Sequence, residues 1–287
     1  MQLNEYPEFD PAFYRGVYSD LAQLDDSQLW HHYEMHGRTE GRLASPLACR
    51  GDFVKFISTF TPALEIGPFH KPVLSGQGVE YFDVLDKDAL RVRAEGLGES
   101  AERVPDINYV SPVGDLSVVD KKYRLIFTSH SIEHQPDLIS HLVSIEKILD
   151  YDGLYAMIIP DCRYCFDHFL RPSAISDVMQ AHVERRTIHS LKSVVEHRAL
   201  TTHNDAIRHW DGDHGPEHVS SQRVLNAIEE WKSNIGQYID VHSWQFTPTS
   251  FRNLISVLYE MAEIKLNVSR VYETPRNHNE FCVLLGR

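Results

Sequence analysis

Four short apolar runs recur along the chain, each closing in polar residues and separated from the next by a stretch long enough for a helix. The first, Ala63-Leu64-Glu65-Ile66, breaks at Gly67-Pro68. The second spans Val79 to Asp86 and closes in acids, the third covers Leu125 to Ser129, and the fourth covers Leu154 to Asp161. Runs that are continuous in hydrophobicity are buried on both faces, and this spacing predicts a parallel sheet with helical crossovers. In such sheets ligands bind beyond the carboxyl ends of the strands. The acids, glycines and histidines of this chain collect at those ends.

The intervening pattern changes to a helical period. Helices are predicted from Arg50 to Thr59, from Pro136 to Leu149 and from Ser220 to Trp231. Another opens at Thr247-Pro248-Thr249 with Phe251, Leu254, Ile255 and Leu258 on one face. Between Ser173 and Leu200, Ile175, Val178, Met179, Ala181, His182 and Val183 recur near helical spacing. Tyr238 to Phe246 alternates and predicts a strand, and Ile264 to Tyr272 and Glu280 to Gly286 predict two more. Near the start, Asp10-Pro11 opens the first of two short helices that end before Arg42, with Leu29, Trp30, Tyr33 and Met35 as an apolar face and Gly37 as a stop. The expected organisation is a helical extension over residues 1–45 and a main domain over 46–287, with a helical insertion at about 173–235.

Composition narrows the function classes. With 287 residues, 42% hydrophobic and 24% charged, the chain can bury one large α/β core. A formal charge of −13 and the absence of a dense Lys/Arg cluster exclude a nucleic-acid-coating role. The four cysteines are scattered except for the Cys162/Cys165 CxxC, which has no second half, so reduced thiols of a cytoplasmic protein are expected. No basic-then-apolar start suggests a signal peptide, and no apolar run reaches the roughly 18 residues of a membrane span.

The glycine loop is not the G-x-G-x-x-G of dinucleotide enzymes: Gly67 stands alone before Pro68, and Gly76 and Gly78 lie well beyond. That pattern argues against a phosphate cradle and an NAD-linked oxidoreductase, and fits an uncharged or cationic cofactor approached closely by backbone. The densest chemistry lies at His209-Trp210-Asp211-Gly212-Asp213-His214. Three readings stand open there: His209 or His214 as a general base, Asp211, Asp213 and His214 around magnesium or a similar ion, or a polar loop held by Asx turns. Asp161 and Arg163 are candidates to hold a polar acceptor, or else a strand-terminal salt bridge. His31, His32 and His36 lack a third ligand at metal spacing, since only His32 and His36 stand at i, i+4.

From about residue 60 onward, the order of these parts resembles the class I S-adenosylmethionine-dependent methyltransferases, carried by Glu65-Ile66-Gly67-Pro68, Asp83, the Ser129-His130-Ser131-Ile132-Glu133-His134 turn and the Asp152-Gly153 turn. The resemblance implies a doubly wound, mostly parallel seven-stranded Rossmann-like sheet ending in an antiparallel hairpin, with S-adenosylmethionine as cofactor. It implies that Glu65, Gly67 and Pro68 line the cofactor, that Asp83, or alternatively Asp86, holds the ribose, and that Asp115 meets the adenine. It further implies that Ser129, His130 and His134 complete the pocket. Ile159 to Asp167 resembles a bacterial subgroup with an IPDxRYCFD stretch, which puts Asp161, Arg163 and Tyr164 at the acceptor, with His242 facing the same space. The implied reaction is methylation of an oxygen, with His209, His214 and Asp161 as catalytic candidates and the insertion as a lid. The N-terminal DPxFYxxxYxDL and WxHYxxHGRxEGR patterns resemble a helical module of bacterial surface-glycan assembly proteins. That likeness implies a saccharide or other small hydroxylated acceptor and glycan-assembly partners on the N-terminal helices. The alternative is a non-catalytic scaffold of the same fold.

Overall fold

The computed structural model describes residues 3–287. Its centre is a seven-stranded sheet: β1 Ala63–Ile66, β2 Val79–Asp83, β3 Tyr109–Val110, β4 Tyr123–Ser129, β5 Leu149–Pro160, β6 Asn267–Val271 and β7 Glu280–Gly286, in the order β3-β2-β1-β4-β5-β7-β6. The first five strands pair in parallel, and β7 runs antiparallel to both β5 and β6. This is the parallel sheet that the spacing of apolar runs predicts, in the doubly wound, mostly parallel form with an antiparallel hairpin that the resemblance implies. The strand order reverses between β1 and β4, so the loops that follow them leave a crevice at their carboxyl ends.

Alternate residues of each strand enter two separate cores, which explains why the runs are apolar throughout. Leu64, Ile66, Ile126, Met157, Ile159 and Val283 face the helices Leu138–Ile148, Ile175–Val183 and Pro248–Glu260. Ala63, Leu125, Phe127, Ala156, Ile158 and Leu284 face Phe53, Phe56 and Ile57 of the helix Arg50–Ile57. Local caps fix the helix starts: Asp137 accepts from Ser140 N, and Thr247 accepts from Ser250 N ahead of Pro248. Phe251, Leu254, Ile255 and Leu258 are all buried, as their spacing predicts.

Three expectations need correction. Tyr238–Phe246 is extended but is not a strand; its one sheet contact is a parallel bridge from Phe246 to Asp161. Both edges of β5 are already paired between Tyr155 and Ile158, with β4 on one side and β7 on the other, so no edge remains for it. Its amides turn elsewhere, and Ser243 N–H and Trp244 N–H both donate to the Glu133 carbonyl. Second, the sixth strand begins at Asn267, after a buried Ile264 and Leu266 that pack into the core without pairing. Third, Trp30 and Met35 do not share the apolar face of Leu29 and Tyr33: they are 46% and 59% exposed. A π-helical turn over Tyr33–Gly37 shifts Met35 out of line, and Gly37 is not the stop: the helix runs on through Arg38–Glu40 and ends at Gly41, φ +67°.

The N-terminal residues carry a small core of their own, Tyr14, Leu21, Leu29, Tyr33 and Ala44, with Phe9 against it. Polar ties bind this extension to the β6–β7 hairpin: Arg276 N–H donates to Gly41 O at 2.9 Å, Arg38 pairs with Glu273 at 2.9 Å, and Val271 N–H donates to Glu8 at 2.7 Å. Four helices, Ile175–Val183, Leu191–Ala199, Ala206–Trp210 and Ser221–Ser233, lie between β5 and the helix Pro248–Glu260. Among the described residues no helix is long and apolar enough to cross a membrane.

Gly37 is the tightest point of the extension. A Cβ there would lie 2.4 Å from Tyr14 Oη and 2.7 Å from a Tyr33 ring carbon. Gly37→Ala should therefore destabilise the extension by about 1–3 kcal/mol, the usual cost of overpacking. Hydrogen exchange should register the loss in residues 10–44 before the sheet; uniform exchange across the chain would contradict it.

Candidate functional site

At the end of β1 the chain cannot continue as a strand, because Gly67 adopts φ +71°, a conformation that side chains resist. Its amide donates to Phe82 O at 2.9 Å, and its open side faces Ser131 Oγ, 4.0 Å from where a Cβ would stand. Glu65 is buried and holds this loop shut on itself: its carboxylate accepts from Val73 N at 2.9 Å and Leu74 N at 2.8 Å. Pro68 is buried beside it. At the end of β2, Asp83 is also buried and accepts from Leu85 N at 3.2 Å, and burial raises its pKa. The structure separates the two ribose candidates: Asp86 caps the helix Lys87–Gly96 through Ala89 N, whereas Asp83 lies at the strand end. Asp115 is exposed beyond β3, with its carboxylate bonded to Ser117.

The loop after β4 carries the main polar group. Ser129 Oγ meets Arg50 at 3.2 Å, and His130 Nε2 meets Glu280 at 2.7 Å. Glu133, in the 3₁₀ turn Ile132–His134, is fully buried, and neither carboxylate oxygen has a hydrogen-bond partner. Around it stand His130 Nδ1, His134 Nε2 and His242 Nε2, each 3.9 Å from Oε1. His242 is held from the other side, its Nδ1 2.6 Å from Asp167, and its amide donates to His197 Nδ1 at 3.1 Å. Burial disfavours charge on both members of that pair, raising Asp167 and lowering His242. His134 Nδ1 lies 3.0 Å from Asp240, which also pairs with Arg93 at 2.8 Å; these two cations hold Asp240 far below the usual carboxylate range.

Residues 161–247 therefore reach back over the carboxyl edge and supply Asp167, His197, Asp240 and His242 to it. Sequence reasoning singled out His130, His134 and His242, and it assigned nothing to Glu133, Asp167, His197 or Asp240. The available signals were local: Glu133 stands between two histidines in the turn, and Asp167 closes the IPDxRYCFD stretch.

The remaining candidates lie apart from this group. Asp161 is fully buried and saturated: it accepts from Arg163 N at 3.0 Å, from the Arg163 guanidinium at 2.6 Å and from Thr274 Oγ1 at 2.6 Å. It is the strand-terminal salt bridge, tying β5 to the β6–β7 hairpin. Tyr164 stacks on Trp210 with ring centroids 3.9 Å apart. His209 and His214 gather with His168 and His203, not around Glu133. The mixed set Asp211, Asp213 and His214 does not assemble: Asp211 turns to Arg276 at 3.2 Å and Asp213 to Arg208 at 2.8 Å. Cys162 and Cys165 are free, buried thiols, and burial pushes both up, away from thiolate chemistry.

No protein-family model matches the chain, and no curated relative matches it. Solved structures do. The mitomycin 7-O-methyltransferase MmcR is 11% identical over 93% of this chain and 60% of its own, with a TM-score of 0.39. An S-adenosylmethionine-dependent methyltransferase from Clostridium acetobutylicum is 9% identical over 91% of this chain and 98% of its own, with a TM-score of 0.41. A putative Zn-dependent alcohol dehydrogenase from Rhodobacter sphaeroides is 14% identical over 90% and 96%, with a TM-score of 0.42. At such identities none of these likenesses bears on substrate.

Glu65 gives a pH test of the loop. Burial pushes its carboxyl up to about 7, against the hydrogen bonds from Val73 and Leu74 that pull it down. An acid whose folded pKa exceeds its unfolded value adds stability below the unfolded pKa and loses it as pH rises through the folded one. Relative to Glu65→Gln, wild-type unfolding free energy should fall by on the order of 3 kcal/mol from about pH 4 to about pH 8. Urea unfolding across that range measures it, and parallel curves would rule it out.

Proposed function

We propose that the chain is an S-adenosylmethionine-dependent methyltransferase acting on an oxygen of a small hydroxylated acceptor, a sugar hydroxyl by preference. The observation that carries the reading is the sheet order β3-β2-β1-β4-β5-β7-β6 with β7 reversed, combined with what its switch point presents. There an open glycine loop, an acid at the end of β2 and a buried unpartnered carboxylate lie at the carboxyl ends.

These residues fit the cofactor. Gly67 leaves space toward Ser131 for close backbone approach, with Pro68 and the Glu65-braced loop fixing its path. Asp83 would hold the ribose hydroxyls and Asp115 the adenine, while Ser129, His130 and His134 line the other side. Glu133, whose oxygens accept no hydrogen bond, stands beside the space the sulfonium would take. The cofactor when bound supplies a methyl group already activated on a positive sulfonium.

The chain's own work is then alignment and proton removal. We assign the base to His242 rather than to His209 or His214. Asp167 fixes its ring through Nδ1 and leaves Nε2 directed toward Glu133, the arrangement by which an acid orients a histidine base. His242 Nε2 takes the acceptor hydroxyl proton, and Glu133 steadies the positive imidazole that results. The lining of Glu133, His134 and Asp240 suits an acceptor rich in hydroxyls, which supports the sugar. Asp240, paired with both His134 and Arg93, links the segment 238–246 to the turn after β4 and to the helix Lys87–Gly96.

Calorimetric titration with S-adenosylmethionine and S-adenosylhomocysteine tests the reading first. Micromolar binding is expected, weakened at least tenfold, about 1.4 kcal/mol, by Asp83→Ala. Transfer of labelled methyl to a panel of free and nucleotide-linked sugars should then fall by roughly a hundredfold or more in His242→Gln, with cofactor affinity kept. If neither ligand binds the wild type, the enzyme reading falls and a non-catalytic scaffold of a glycan-assembly complex takes its place.

A further inference from the structure

A second histidine cluster lies outside this site. His168 comes from the segment after β5, His209 from the helix Ala206–Trp210, and His214 from the loop that follows it. The His168 and His214 rings stack at 3.7 Å and 9°, and the His209 centroid lies 5.2 Å and 5.3 Å from them. One ring nitrogen from each falls within 4.8 Å of the other two.

Hydrogen bonds fix which nitrogens are free. His168 Nδ1 is 2.7 Å from Arg163 O, and a carbonyl can only accept, so Nδ1 carries the proton and Nε2 is left with its lone pair. His209 Nε2 is 3.1 Å from His203 O, which by the same argument leaves Nδ1 bare. That Nδ1 accepts a hydrogen bond from His214 Nδ1 at 3.0 Å, and a cation binding here would take the place of that shared proton. Behind it, His203 stacks on His209 at 4.2 Å and is itself tied to Asp213 O at 3.0 Å. Histidines that bind metals are oriented in this way, the distal N–H donating to a carbonyl so that the other nitrogen points inward.

We propose that His168, His209 and His214 bind a borderline divalent cation, zinc by preference. Two Zn–N bonds of about 2.0–2.1 Å at a tetrahedral angle put the nitrogens about 3.3 Å apart, against 3.0 Å between His209 Nδ1 and His214 Nδ1; the half-buried His168 ring, stacked on His214, turns out of the stack to aim Nε2 at the ion. Imidazole donors select zinc, copper or nickel, whereas magnesium and calcium require oxygen ligands. The nearby acids supply none, because Asp211 and Asp213 are turned to arginines. Three protein ligands leave a fourth position, which His168 and His214, being only half-buried, open to water. The cation ties the helix Ala206–Trp210 to the segment that carries Asp167, the residue bonded to His242.

The test uses the full chain stripped with a chelator and titrated with Zn²⁺ against a chromophoric competitor, with metal content read by mass spectrometry. One tight equivalent is expected, lost in His209→Ala and weakened at least a hundredfold in His214→Ala, whose half-exposed ring can be removed without opening the core. Glu133→Gln and the double variant Cys162→Ser/Cys165→Ser should keep full affinity, which separates this site from the edge cluster and from the thiols. The Co²⁺-loaded wild type should show the intense visible bands of a tetrahedral site. Circular dichroism confirms that each variant is folded. No stoichiometric zinc on the wild type, equal affinity in the histidine variants, or loss of zinc in the cysteine variant would overturn the proposal, and none of these results depends on methyl transfer.

Discussion

A parallel sheet buried on both faces has no place along its strands for an ion, so every ionisable group it carries must lie at the strand ends and find a partner there. Glu65, Asp83, Asp161 and Glu280 all obey this. Glu65 is answered by two amides of its own loop, Asp161 by Arg163 and Thr274, and Glu280 by Arg50 and His130. Each answer also closes a loop, which makes the carboxyl edge rigid as well as polar. Glu133 breaks the rule: it is fully buried, and no donor reaches its oxygens. Its neighbours are three histidine nitrogens 3.9 Å away, and a buried acid–histidine cluster of this kind is a functional-site signature.

The insertion decides what surrounds that carboxylate. Because β4 and β7 occupy both edges of β5, the segment 238–246 cannot join the sheet, and its amides bond instead to the Glu133 carbonyl. That displacement carries His242 against Glu133 and puts Asp240 between His134 and Arg93. Asp167 then fixes the imidazole from behind, so the histidine that the insertion delivers has a single defined orientation.

The N-terminal extension shares in this arrangement at a distance. Gly41 accepts from Arg276 N–H, the Arg276 guanidinium pairs with Asp211, and the Trp210 indole N–H donates to His278 O at 2.8 Å. Extension, β6–β7 hairpin and the His209 neighbourhood are thus braced together. Asp161, through Thr274, joins the same brace to the end of β5.

The sequence by itself determined what local forces decide. Continuous apolar runs specified the parallel strands, the break at Gly67 specified the loop after β1, and Asp10 and Thr247 specified helix starts through bonds to amides two or three residues on. It also put the acids and histidines at strand ends. β3, two residues long, left no run of its own to read, and the π-helical turn after Tyr33 shifted a face that a regular period would have kept. Which polar groups converge was decided only by tertiary structure. Glu133 meets His242, Asp167 meets His242, and His168 meets His214 across long stretches of chain, and no period or cap reports a distance of that kind. The tertiary structure likewise removed the strand predicted at 238–246, because β4 and β7 already occupy both edges of β5.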